Sequence, residues 1–339
     1  MRKKISIQIL FILILFLPSL VYADWKVSEI KTKNKPTARF GASIAYDASR
    51  ECVVLFGGDQ GSRQTWEFDD KNWKAVQSTY NPPARLGGAM AFFPEIGKAV
   101  LFGGVKMPGT HPDYIMLNDT WVYSATGWST INCTENPSPR SEASLVYDKK
   151  RKCLVLFGGM SSKVKSKATL NDTWEFDGKT WKQIEPKISP NPQSSQAMAY
   201  DYKRGVVVMY GGNSGDVQTW EYNGETWENK FIFPSPGSRT GHTLVYDPEN
   251  EIVVLIGGVA PSSVKQKDAV EWKENMLWFF TDKKWKVTKL NHAVPGYISA
   301  AVVYNPKRKS IMGFGGLSFS QKGDPRQSNL TWEITNTSD

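Results

Sequence analysis

Cysteine and histidine are scarce, with three of each in 339 residues. Three cysteines cannot form a disulfide scaffold, and the odd number leaves at least one thiol unpaired within the chain. The histidines stand far apart at 111, 242 and 292, and no H-x-H, C-x-x-C or H-E-x-x-H spacing occurs. That argues against a conventional zinc or copper site, and no cofactor is implied. Long apolar runs are also missing, apart from one that extends from Ile5 to Leu17. It follows Arg2, Lys3 and Lys4, is broken by Pro18, and leads to Val21-Tyr22-Ala23. This is the order of a secretory signal peptide, and the run is shorter than the ~20 residues that span a bilayer. Residues 1–23 are therefore expected to be removed, leaving a secreted or periplasmic chain with no membrane span. No cysteine at the cleavage point marks a lipid anchor. The net charge of +9 stays positive after the three leader cations are lost. Export nonetheless disfavours a nucleic-acid partner, and a monomer is expected.

What is abundant points elsewhere. Hydrophobic residues at 40% and charged residues at 22% exclude disorder, while 13 Trp, 28 Gly and 19 Pro describe a turn-rich, aromatic, all-β chain. A single compact core stops growing at about 250–300 residues, so the length calls for two domains or one repeat architecture.

A repeat is visible. Glycine doublets at 57–58, 103–104, 158–159, 211–212, 257–258 and 315–316 each close an apolar run. An aromatic stands eleven residues before every doublet: Tyr46, Phe92, Tyr147, Tyr200, Tyr246 and Tyr304. A Trp follows each doublet, at 66, 121, 174, 220, 278 and 332, and a second Trp seven residues later in the first five units, at 73, 128, 181, 227 and 285. In the sixth unit that second Trp would fall at position 339, which is Asp339. Asp24-Trp25-Lys26-Val27 matches Asn72-Trp73-Lys74-Ala75, so the N-terminal segment 24–31 is expected to supply it. Each unit reads as four short strands, a to d, exemplified by Ala42–Tyr46, Val53–Phe56, Thr65–Phe68 and Trp73–Val76.

Four strands per ~50-residue unit, a glycine doublet and spaced aromatics form the pattern of a kelch blade, and the chain resembles the kelch-repeat family over its length after the leader. Stretches such as Asn171-Asp172-Thr173-Trp174-Glu175-Phe176-Asp177-Gly178 resemble those of secreted bacterial kelch proteins. The resemblance implies an all-β, six-bladed propeller with four-stranded blades and a ring closed by its own N-terminal strand. The blades fall near 38–80, 84–133, 139–186, 192–233, 238–290 and 296–335 within one domain, 24–339.

Strand alternation places the b–c loops and d–a connections on one face and the a–b and c–d turns on the other. From doublet to strand c Trp the b–c loops span 9, 18, 16, 9, 21 and 17 residues, so units 2, 3, 5 and 6 carry insertions on one face. Variable loops on a rigid scaffold are where function usually resides. Seven residues before each strand a aromatic lies a second column: Arg39, Arg85, Arg140, Gln193, Arg239 and Tyr297. Kelch propellers of known function often use the start of strand a to line a ligand pocket, so the resemblance makes these six positions ligand-binding candidates. Four Arg and basic insertions around one mouth suggest an anionic ligand, an acidic glycan or acidic protein segment. The competing reading is that each Arg braces neighbouring carbonyls. Trp272, the one Trp outside the repeat, joins the candidates as a stacking surface in the longest insertion.

Catalysis is the weaker possibility. Copper oxidases of the galactose oxidase type also use kelch-like blades, but Cys52 and Cys153 open strand b on the opposite face. Sialic-acid mutarotases are kelch propellers too, and Glu142 and His242 near the start of strand a are the catalytic candidates should the mouth process a sugar acid. Against this stand simpler roles, Glu142 neutralising an Arg and His242 packing. Three function classes follow: a secreted module binding a protein or glycan, a sugar-acid mutarotase or related enzyme, and an envelope component that makes contacts through its sides.

Overall fold

The computed structural model describes residues 24–59, 61–106, 114–163, 166–260, 275–320 and 324–337. The leader and Trp272 lie outside the described residues. Six four-stranded antiparallel sheets follow one another along the chain. Blade 1 is built from Ser43–Asp47, Cys52–Phe56, Thr65–Phe68 and Trp73–Val76, in the order a-b-c-d. Blades 2 to 5 repeat this order, and blade 6 combines Ala301–Asn305, Ser310–Phe314 and Thr331–Asn336 with Trp25–Glu29. The first strand thus pairs with the last, Trp25 opposite Asn336 and Glu29 opposite Trp332, and closes the ring. No helix among the described residues is long and apolar enough to cross a membrane. All three cysteines are free.

Strand b of every blade is largely apolar because both of its faces are covered by neighbouring blades. Val53, Val54, Leu55 and Phe56 are all fully buried. The second Trp of each unit locks one blade to the one before it. Trp73, Trp128, Trp181, Trp227 and Trp285 donate their indole N–H to Thr331, Thr65, Thr120, Thr173 and Thr219 at 2.7–3.0 Å. The same rings lie 4.9–5.3 Å from Phe314, Phe56, Phe102, Phe157 and Tyr210 at the ends of the preceding strand b. Trp25 is the exception. It packs in one cluster with Ile256 and Leu277 of blade 5, where other seams have an aromatic and a Thr, so this seam is held by apolar contact. Asn291 adds two bonds to the Val27 main chain, at 2.8 and 3.2 Å.

The glycine doublets have a specific geometric cause. In all six blades the N–H of the second glycine donates to the carbonyl of the Arg-column residue in the next blade, from Gly58 to Arg85 (3.0 Å) around to Gly316 to Arg39 (2.8 Å). The first glycine has φ of +62 to +76°. A Cβ on Gly57, Gly103, Gly158 or Gly211 would lie 2.6–2.8 Å from that carbonyl, so only glycine fits.

The strands a surround a central cavity of about 640 Å³. It runs from Ala42, Gly88, Ala143, Gln196, His242 and Ala300 down to the aromatic column. Exposed Ala48, Pro94, Tyr202, Pro248 and Pro306 line its end on the a–b face.

Candidate functional site: the b–c face

The Arg column is buried and engaged. Arg39, Arg85, Arg140 and Arg239 are only 1–4% exposed. Each Nη1 donates to the first glycine carbonyl of its own blade, Gly57, Gly103, Gly158 and Gly257, at 2.8–3.0 Å. Arg85 and Arg140 also form two-pronged pairs with Asp119 and Asp172, every bond 2.7 Å, and each Asp takes the indole N–H of Trp121 or Trp174 as well. Burial alone would raise the two carboxyls, but the paired guanidiniums outweigh it and hold both below the usual Asp range. Gln193 is likewise buried, its amide against Met209 Sδ and Ser214 Oγ, and Tyr297 packs on the blade 5–6 core. The ligand-binding reading of the four arginines is therefore corrected: their side chains hold their own blades' doublets instead of facing a mouth, and the cationic funnel drawn from them is absent.

His242 is also structural. Its Nε2 lies 2.9 Å from the Tyr210 carbonyl, which fixes the Nε2–H tautomer. In blade 4 the equivalent residue, Gln196, makes the same bond to the Phe157 carbonyl at 2.8 Å. Burial, aided by nearby Arg239, lowers the imidazole pKa to about 3. A lowered pKa favours the neutral ring, so its contribution is complete above the ordinary His value of 6.5 and declines as pH falls from there toward the folded value. His242→Gln is expected to fold normally and to flatten that part of the stability–pH curve, whereas His242→Ala should cost about 1–3 kcal/mol. Urea melts at pH 7.5 and 5 check this; an unchanged acid slope in His242→Gln would refute it.

Glu142 has a different environment. Two residues beyond the Arg column stand Gly41, Gly87, Glu142, Ser195, Gly241 and Ser299, all half-buried and all with φ of +50 to +68°. Five backbone bonds of 2.7–3.0 Å join them around the axis: Gly41 to Ser299, Gly87 to Gly41, Glu142 to Gly87, Ser195 to Glu142 and Ser299 to Gly241, each N–H to a carbonyl. Left-handed backbone suits the three glycines but is strained for a glutamate. Glu142 Oε2 accepts the hydroxyls of Ser194 and Ser195. Among the described residues no hydrogen bond links it to His242, which bonds the Tyr210 carbonyl instead.

The walls of the face are built by the insertions. In blade 2, strands b and c continue past the doublet as Lys98–Lys106 and Ile115–Ser124. Blade 3 adds a hairpin of Met160–Lys163 and Ser166–Thr169, and blade 6 one of Leu317–Phe319 and Pro325–Gln327. Blades 1 and 4 turn at once. There Asp59 and Asn213 side chains accept the Phe40 and Ser194 N–H at 3.0 Å, replacing the two-bond bridges such as Leu86–Val105 that start the longer stems. Sequence reasoning saw the loop lengths but missed the ring and these caps, although Asp59 and Asn213 directly follow their doublets.

A family model described as the KLHDC2/KLHL20/DRC7 Kelch-repeats domain matches residues 13–212. The chain belongs to the kelch-repeat family. A solved structure entitled "Structure of YjhT" superposes with a TM-score of 0.67 over 91% of this chain and 98% of that one, at 14% identity. At that identity the likeness speaks to the propeller fold of this kelch protein. Among its described residues, no group of three or more His, Cys, Asp and Glu side chains could hold a metal ion.

Proposed function

We propose that this kelch propeller is an exported interaction module that docks a protein partner on its b–c face. One observation carries the reading: the largest differences between blades lie on that face. The a–b turns repeat one another in four blades, with Arg50, Arg151, Arg204 and Arg308 tied to Glu67, Glu175, Glu221 and Glu333 of strand c. The b–c connections differ in length and structure from blade to blade. Kelch propellers commonly serve as protein-interaction modules, which agrees with this choice. Burial of the arginines removes one of the two grounds for an anionic preference, the basic insertions being the other.

The test trims one wall. Replacing residues 160–170 with Asn213-Ser214-Gly215-Asp216 gives blade 3 the short loop of blade 4 while retaining Asp172 for Arg140. Capture of a partner from producing cells, compared between this variant and the unaltered chain, should drop while the melting temperature holds. Equal capture would overturn the reading. Export is the second part of the proposal, and intact mass should show a chain beginning at Asp24. A recovered chain retaining residues 1–23 in a membrane fraction would remove it.

A further inference from the structure

The central cavity opens on the face opposite to the insertions. The backbone bonds that join Gly41, Gly87 and Glu142 encircle its b–c end, while Ala48, Pro94, Tyr202, Pro248 and Pro306 rim its a–b end. No insertion contributes to it, since every lining residue belongs to a strand a or to the short segments that flank one. All lining side chains are uncharged at neutral pH, His242 included. Two of the hydroxyls are spent on the wall itself, Ser43 on the Gly88 carbonyl at 2.7 Å and Ser144 on the Gln196 carbonyl at 2.6 Å. The volume of about 640 Å³ is that of a small-molecule site. Deep inside, each strand a is the edge of its sheet, and its unpaired main-chain groups require water. Near the rim the wall is aromatic, from Tyr46 around to Tyr304, so an apolar body is best seated there.

We infer that this vestibule binds a small aromatic monocarboxylate, its ring among the tyrosines and its carboxylate on Lys149. The rim breaks its own symmetry at two adjacent blades. The residue two beyond the aromatic column is Ala48, Pro94, Pro248 or Pro306 in four blades, but Lys149 in blade 3 and Tyr202 in blade 4. Tyr202 is 48% exposed, yet burial raises its phenol pKa, as fits a ring leaning into a concave mouth. It stands at 90° to Tyr200 with ring centres 5.0 Å apart, and at 45° to Tyr246 with centres 5.3 Å apart, an array that a further ring extends edge to face. Lys149 supplies the charge. Lysines of other turns on this face are matched, Lys203 by Glu251, Lys307 by Glu51 and Lys309 by Glu249. Among the described residues Lys149 has no carboxylate partner, and its Nζ lies 5.8 Å from the centre of the Tyr202 ring. Glu95, in the blade 2 turn, accepts the Tyr147 hydroxyl at 2.8 Å. An arriving carboxylate therefore gains an unmatched ammonium beside an aromatic wall, whereas a cationic ligand is repelled by it.

The probes are cinnamate, cinnamamide and hexanoate, titrated into the purified protein by calorimetry, with saturation-transfer NMR as the second readout. Cinnamate should bind, with cinnamamide about tenfold weaker and hexanoate also weaker. Lys149→Gln should bring cinnamate down to the level of cinnamamide and leave the amide unchanged. Tyr202→Ala should weaken both, and Ala48→Trp, which fills the mouth, should abolish both while the melt holds. Lys106→Gln on the b–c face should change nothing. No binding, equal affinity for acid and amide, tighter binding of hexanoate, or indifference of cinnamate to Lys149→Gln overturns the inference. Binding that survives Ala48→Trp places the acid outside the vestibule and overturns it too. The trimmed blade 3 loop should leave cinnamate binding intact, so this site and the docking face stand or fall separately.

Discussion

Deleting residues 24–31 is expected to lower the melting temperature sharply and to leave the protein prone to aggregation. The segment contributes the whole outer strand of blade 6, and Trp25, Val27 and Ile30 are buried. Removing a buried Trp side chain alone typically costs about 3–5 kcal/mol. The deletion adds exposure of the Thr331–Asn336 strand, whose free edge is a template for pairing with another chain. Trp25→Ala in the full chain separates the two effects, because it opens a cavity while keeping the main-chain ladder. Thermal melts with light scattering provide the measurement. An unchanged melt of the deletion variant would mean that the ring does not depend on its N-terminal strand.

Arg140→Ala should be nearly as damaging. The guanidinium holds Gly158 and Ser138 carbonyls and both oxygens of Asp172, and its loss leaves a mostly buried carboxylate without its partner. Breaking a buried ion pair from one side usually costs about 3–5 kcal/mol. Arg140→Lys keeps the charge but cannot fork, so it should fall between wild type and alanine. The sign of the pH effect is fixed by Asp172, whose carboxyl is held below its ordinary 3.8. The pair's contribution is complete above that value and is lost as pH falls through the lower folded one. A melt of Arg140→Ala matching wild type would return the Arg column to the list of surfaces available to a ligand.

The propeller was readable because its regularities are obligatory. Every doublet must admit a neighbouring carbonyl, and every seam needs a large ring, so glycine and Trp recur at fixed offsets. Even strand limits were close: Thr65–Phe68 and Trp73–Val76 agree, and strand a begins one residue later than the pattern suggested. The site was less legible for an equally physical reason. A repeated Arg at a mouth looks the same in sequence whether its side chain faces solvent or folds back on carbonyls of its own blade. The deciding partner was present, since Asp119 and Asp172 stand two residues before a Trp, but only geometry links them to Arg85 and Arg140. His242 and Gln196 perform one task with different chemistry, which hid their equivalence. Glu142 was a candidate from sequence, but its left-handed backbone was not legible there.

The closing strand also dictates the order in which the molecule can be finished. Trp25–Glu29 is made before any complete blade, and its partner Thr331–Asn336 only after every other described strand. By the logarithmic cost of loop closure, joining ends about 300 residues apart demands roughly 5 kcal/mol of chain entropy in one step. Until that step occurs, blade 6 is a three-stranded sheet and the glycine-to-carbonyl circuit is open where blade 6 should meet blade 1. Ring completion thus waits for the Thr331–Asn336 strand, and contacts so distant in sequence fold slowly.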